Sequence, residues 1–444
     1  MACTAVTMSS DRPFQLGHVV RSLRIGIFGT DPLLTKDPRE RAARCIIIAL
    51  LVAPALFVLV ELSPTAWAVA VAVALIIANP RGALDAVGLL RSPPILSLIV
   101  IAALGAISAL WSLEPRRSLH AAAVMASYII IGAIAVRETV SLSDQQRERA
   151  WMILTVGAAI GLLSLFWTEI RAIFATWEVV RTFHKTTFYG FLFAAALLFP
   201  ERDRIFTWRL AFALLFAVPT LLIGRTSGVN LMILASIVFV FISARRYRQV
   251  LTAVCAIYCL LTLAAPYIAT PSFRLAESTA IGHFTQLYSY LARMELWHVM
   301  TPSIFESFWI GHGADTTRIA SFHIQGLHYY DLPEVPSAHN MVFDQWFELG
   351  LLGVLALIVV VVVFTRAIRR LDDNALPTTA TMFLMILVEL SVDHRIWLSW
   401  LQGLLVYAAI VSVIIIGRAR TRSLTPVLGE ASSAPSGRPM IRSD

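Results

Sequence analysis

His339 stands in Pro336-Ser337-Ala338-His339-Asn340, at the end of a long polar segment and just before an apolar run resumes at Met341. Imidazole is the side chain best suited to take a proton near neutral pH. Arginine carries a permanent charge on a planar fork that matches phosphate oxygens. Arg225 lies in the very short turn Gly224-Arg225-Thr226-Ser227-Gly228, where flanking glycines permit close approach and no acid shares the turn. Either it binds an anion or it pairs with Asp393 or Glu389 on a neighbouring helix. Arg293 and Trp297 are four residues apart and share a helical face. A base beside several phosphate-seeking cations points to proton transfer next to an anionic, phosphate-bearing group.

Other residues carry weaker chemistry. Arg181, His184 and Lys185 form a compact polar entry to an apolar run at 186. Asp393-His394-Arg395 is either a second catalytic group or a helix-end ion pair. Asp344 and Glu348 share a helical face just beyond His339, placed to orient it or to pair with Arg293. His323, His328, His339, Asp331 and Glu334 contain no pair at the i, i+4 spacing of a helical metal motif, so no metal is expected. Gly311-His312-Gly313 lacks the third glycine of a dinucleotide loop and follows no convincing strand.

The elements that position these groups are set by composition. Of the 444 residues, 58% are hydrophobic and 14% charged, and mean hydropathy is +0.74. That balance excludes a soluble protein, and the apolar runs are too continuous for barrel strands. With about 20 apolar residues needed per crossing, twelve spans are expected: 45–61, 65–79, 93–111, 118–136, 151–168, 186–200, 206–223, 229–243, 249–268, 342–365, 376–392 and 396–417. The fold expected is all-α, a polytopic integral membrane protein. Its parts are an N-terminal segment at 1–44, spans at 45–268, a large helical external loop at 269–340, spans at 341–417 and a disordered tail at 418–444.

No apolar h-region precedes the first span, so both termini are expected in the cytoplasm. Of the 36 basic residues, 26 then fall inside, as the positive-inside rule requires. Arg245-Arg246-Tyr247-Arg248 and Arg366 with Arg369-Arg370 read as anchors at an anionic leaflet rather than nucleic-acid contacts. The ten left outside are Arg116, Arg117, Arg171, Arg181, Lys185, Arg225, Arg274, Arg293, Arg318 and Arg395. Arg116 and Arg117 beside Glu114 read as a solvated rim. Cys3, Cys45, Cys255 and Cys259 all fall in the tail or within spans, so no disulfide is expected.

Within the external loop, residues 281–300 carry Phe284, Leu287, Leu291, Met294 and Met300 at helical spacing. Trp309, Phe322, Tyr329 and Tyr330 add aromatic faces that suit sugar rings or an interfacial belt.

The twelve-span layout, the Gly224–Gly228 turn, Arg293 and Trp297 followed by Gly311-His312-Gly313, and Ser337-Ala338-His339-Asn340 leading into Glu348-Leu349-Gly350-Leu351-Leu352-Gly353 together resemble the bacterial O-antigen ligase family. That family sits in a superfamily with O-antigen polymerases and pilin-type O-oligosaccharyltransferases. Arg181-Thr182-Phe183-His184-Lys185 resembles the family's entry to the sixth span. The resemblance covers about residues 45–415.

It implies transfer of a polysaccharide from undecaprenyl pyrophosphate to lipid A-core at the periplasmic face of the bacterial inner membrane, with inversion and with no ATP, metal or other cofactor. On this reading His339 is the catalytic base or, alternatively, an imidazolium that positions the diphosphate. Arg225 and Arg293 hold pyrophosphate oxygens. Arg181, His184 and Lys185 assist, and Trp297, Asn340 and Asp393 give support. Polymerisation and protein glycosylation remain alternatives within the superfamily, and a lipid-linked-sugar transporter is the alternative from another class. Intramembrane charges and paired repeats, which mark transporters, are not evident in the sequence.

Overall fold

The computed structural model describes residues 37–60, 63–173, 246–278, 288–319, 338–392 and 394–432. Among these the chain is helical, without strands. The helices are α1 (Pro38–Leu59), α2 (Ser63–Ala78), α3 (Pro80–Asp85, continued by a 3-10 segment Ala86–Arg91), α4 (Pro93–Ile107), α5 (Pro115–Val140) and α6 (Asp144–Ile173). After the undescribed stretch come α7 (Tyr247–Ser278), α8 (Tyr288–Glu306), α9 (Met341–Arg369), α10 (Leu376–Val392) and α11 (Ser399–Ser432).

Proline opens α1, α3, α4 and α5, where its missing N–H costs nothing. Asp37 and Asn79 cap α1 and α3 through their side chains.

Six of the described helices are long and apolar enough to cross a membrane. A seventh crossing is counted if α2 and the segment Pro80–Arg91, bent by 116° to it, form one span. The protein is a multi-pass membrane protein. Nine expected spans fall on described helices, and the three at 186–200, 206–223 and 229–243 lie outside them.

Helix ends differ from expectation in two places. α7 runs through Pro266 and Pro271 to Ser278, ten residues past the expected exit at 268. α11 carries on to Ser432, so the tail expected to lose structure from 418 is helical over its first part. Arg418 explains where that extension starts: its guanidinium pairs with Glu148 of α6 at 2.8 Å and lies 4.8 Å over the Trp151 ring.

One core joins α1, α2, α4, α5, α6 and α11, with Phe57, Trp67 and Tyr407 meeting edge to face at 5.4–5.7 Å. A second packs Leu296, Met300 and Ile304 of α8 against Trp346 and Phe347 of α9 and Ala265 and Ala269 of α7. This second core is the pedestal of the site. Leu291 and Met300, expected on the apolar face of a helix at 281–300, are buried on α8, which extends to Glu306.

At the far end of α9, Arg248 bonds the carbonyls of Arg369 and Leu371 and pairs with Asp373 at 2.7 Å. The two basic runs read as anchors therefore meet at one end of the bundle, opposite His339.

Candidate functional site

α9 is the axis of the site, and it is broken. Gly350 has φ 60 and ψ −154, so the turn ending at Leu349 leaves carbonyls unbonded, and the turn starting at Leu351 leaves N–H groups unbonded. The segment 308–313 satisfies both sides of the break. His312 and Gly313 donate their N–H groups to the carbonyls of Phe347 and Glu348, at 2.9 and 2.7 Å. Phe308 and Trp309 accept from the N–H groups of Leu351 and Leu352, at 2.8 and 3.2 Å.

The two backbones touch, so a Cβ on Gly350 would stand 2.6 Å from the Ile310 nitrogen. Gly311 and Gly313 themselves sit at positive φ. Gly311-His312-Gly313 is thus a backbone splint for α9 rather than a phosphate loop. The His312 ring is engaged structurally, with Nε2 3.0 Å from the Ser303 carbonyl and the ring 4.5 Å from Phe347.

His339 lies immediately before α9 and is the only described residue besides Asp315 that holds a left-handed φ without being glycine (φ 49). Three neighbours fix it there. Asn340 caps α9, its side-chain oxygen accepting from Val342 and Phe343 at 2.8 and 3.4 Å. Asp344 accepts the Ala338 N–H at 3.0 Å. Trp297 of α8 donates its indole N–H to the Ala338 carbonyl at 2.8 Å while its ring stacks on Phe343 at 5.1 Å. Both main-chain polar groups of Ala338, the residue before His339, are therefore held by side chains from two helices. Such over-determined positive φ is typical of functional sites.

His339 is half-buried, while Ala338, Asn340 and the first turns of α9 are buried. Arg293, one turn before Trp297 on α8, is buried at 8% exposure. Burying a guanidinium in a helical bundle demands anionic or polar company.

Glu348 is the lower anchor. Its Oε1 accepts the Thr317 hydroxyl at 2.8 Å and its Oε2 accepts the Trp397 indole N–H at 2.5 Å. The same loop is pinned to the corner of α4 and α5, where Ala314 bonds Ser108 and Ser118. Asp315, at φ 56, receives Arg395 at 3.2 Å and Arg318 at 3.9 Å. His394 lies 3.5 Å from Glu389. Arg395 is thus paired with Asp315, and His394 lies against Glu389.

The structure thus brings together His339, Asn340, Trp297, Asp344 and Arg293 around the junction of α8 and α9. Arg181, His184, Lys185, Arg225 and Asp393 lie outside the described residues, as do His323, His328, Asp331 and Glu334. Asp315, Thr317 and Trp397 were not singled out from sequence as parts of the site. The cue was present in Asp315-Thr316-Thr317-Arg318, a polar run directly after a double-glycine turn.

Residues 210–358 match the family model described as O-Antigen ligase. The matched segment contains α7, α8, the splint, His339 and the break in α9, and it bears out the family resemblance of the sequence. No curated protein matches the chain.

Proposed function

We propose that this protein of the O-antigen ligase family transfers a polysaccharide from undecaprenyl pyrophosphate to a hydroxyl of lipid A-core, at the periplasmic face of the inner membrane. The observation that carries the reading is the fixation of His339. His339 holds a left-handed backbone angle, both main-chain polar groups of the preceding Ala338 are bonded, and a buried arginine stands on the adjoining helix.

In this mechanism the acceptor hydroxyl attacks the anomeric carbon as His339 takes its proton. The carbon–oxygen bond to the pyrophosphate breaks with inversion, and the imidazolium releases its proton to solvent. Arg293 and Arg225 receive the departing diphosphate's charge, which cationic donors can stabilise without a divalent ion. Arg181, His184 and Lys185 contact headgroup or acceptor phosphates, and Asp393 supports them. Asp344 keeps the base aimed. The sugar–pyrophosphate bond supplies the driving force, so no cofactor is called for.

The test is complementation of a Gram-negative strain lacking its own ligase, with a matched core acceptor, scored as high-molecular-weight lipopolysaccharide. Wild type should restore the ladder. His339→Ala should be inserted at normal level and lose about 10² to 10⁴ in rate, and activity should survive exhaustive chelation. A ladder undiminished in His339→Ala refutes the role of the histidine. No ladder with a matched acceptor moves the reading to polymerisation or protein glycosylation. An activity that falls as pH rises, rather than as it drops, identifies an imidazolium donor instead of a base.

A further inference from the structure

One helical turn along α9 from Asp344, which holds Ala338, Glu348 holds Thr317, and beside Thr317 lies a second group of charges. Asp315 is the shared centre, with Arg395 at 3.2 Å and Arg318 at 3.9 Å on the same carboxylate oxygen. Arg395 is almost fully buried, with 5% of its side chain exposed, whereas Arg318 keeps 44%. Among the described residues Asp315 is the sole salt-bridge partner of Arg318, and it reaches Nε rather than the outer fork. Arg117 adds a third positive charge that acts on Arg318. Burial, and then the neighbouring charge of Arg395, push the Arg318 guanidinium below its ordinary value. The other acid in reach, Glu348, already accepts from Thr317 and Trp397.

The cluster also breaks two rules at once. Arg116 and Arg117 occupy the first turn of α5, the positive end of a 26-residue helix, directly after its N-cap Glu114. The positive-inside rule makes arginines scarce on the side assigned to His339. Asp315 is shared between Arg318 and Arg395, Glu114 stands at the N-cap of α5, and Glu348 is committed to Thr317 and Trp397, so the outer fork of Arg318 is the group left for a further anion.

The pedestal is rigid. Thr317 is tied to Glu348, Ala314 to Ser108 and Ser118, and Thr316 to Gly313. Asp315 is held at φ 56. A half-exposed guanidinium on so fixed a loop is preorganised for an ionic partner.

We propose that Arg318, backed by Arg395, Arg117 and the N-terminus of α5, forms a second anion subsite that holds a phosphate group of the acceptor glycolipid while His339 works on its hydroxyl. The proposal rests on the transferase reading and extends it. Glu348 and Asp344 are four residues apart on α9, about 6 Å along the axis. One amphiphile can therefore span both places, with a sugar at His339 and a phosphate at Arg318.

The experiment uses the full chain in nanodiscs made from zwitterionic lipid alone or with an anionic phospholipid. The acceptor is lipid A-core glycolipid, intact or phosphatase-treated, and both transfer kinetics and thermal stabilisation by the acceptor are read. For Arg318→Gln the KM for intact acceptor should rise about tenfold or more, the loss of charge-assisted bonds. The KM for the treated acceptor should match wild type, and kcat should change little. Arg318→Lys should recover part of the effect.

A defect that appears only in anionic nanodiscs, equally with both acceptors, assigns the phosphate to a membrane phospholipid and overturns the acceptor assignment. A defect equal for both acceptors in both nanodiscs, or none, overturns the subsite. Should wild type transfer nothing to either acceptor, the transferase reading fails by itself. The subsite is then judged by stabilisation alone: intact acceptor must stabilise wild type more than Arg318→Gln, and treated acceptor must not.

Discussion

At the residue scale the site depends on the main chain of Ala338. The carbonyl and N–H of Ala338 are taken by Trp297 and Asp344, and that double hold gives His339 its direction. Trp297→Phe separates the hold from the packing. The smaller ring can still stack on Phe343, but the buried carbonyl of Ala338 loses its donor, a cost of about 1–3 kcal/mol. If that cost falls on the alignment of the base, the rate of transfer drops about tenfold. Donor KM should be unchanged, because nothing that touches the donor phosphates has moved. Steady-state kinetics on the purified protein would show it, and a wild-type rate in the variant would remove Trp297 from the mechanism.

Much of this was legible. His339 and Asn340 stand at the junction of a polar and an apolar segment, and Arg293 with Trp297 share a face at simple helical spacing. Glu348 was legible as an acid but not by its partners, because Thr317 and Trp397 reach it from 31 and 49 residues away. Asp315 needed its backbone angle, which no residue type announces.

At the scale of elements the decisive feature is the break in α9. Apolar runs and prolines at helix starts mark most helices, since period and the missing N–H of proline are local properties. The break is not local. Gly350 sits within Leu349-Gly350-Leu351-Leu352-Gly353, which reads as an uninterrupted span, and it becomes a break only because 308–313 supplies donors and acceptors to both stumps. Half of the arrangement was thus visible as a double glycine and the other half as a glycine, with nothing to pair them.

Gly350→Ala tests the pairing. It puts a Cβ where φ 60 and ψ −154 suit glycine, a strain of about 1–3 kcal/mol, and drives a methyl group to 2.6 Å from the Ile310 nitrogen, where backbone rather than a flexible side chain must yield. The variant should show a clearly lowered thermal midpoint in detergent and lose transfer even at permissive temperature, because the splint also carries the loop to Arg318. Gly88→Ala is the control: nothing lies within 4 Å of its Cβ, and the change should stay within about 0.5 kcal/mol. Equal midpoints for the two variants would mean that the splint does not brace α9.

For the whole molecule the question is which end faces which compartment. α7 is longer than one perpendicular crossing needs: its 32 residues rise about 48 Å, against a hydrocarbon core of about 30 Å. Arg248 near its start is locked to the carbonyls that end α9 beside Asp373. Charge pairing with an anionic inner leaflet favours that end in the cytoplasm. The last turns of α7, with exposed Arg274 and Glu277, must then stand clear of the membrane on the outer side, next to α8 and the site.

This orientation predicts opposite chemistry for two engineered thiols. Glu277→Cys should react with a membrane-impermeant maleimide in intact spheroplasts, and Asn374→Cys in the exposed turn between α9 and α10 should react only after permeabilisation. A variant lacking all four native cysteines, Cys3, Cys45, Cys255 and Cys259, gives a clean background. The reverse labelling pattern would put His339 in the cytoplasm, where a periplasmic transfer reaction has no place. Labelling of both thiols in intact cells would instead show that the turn after α9 also lies outside, and the count of crossings between α7 and α10 would have to change.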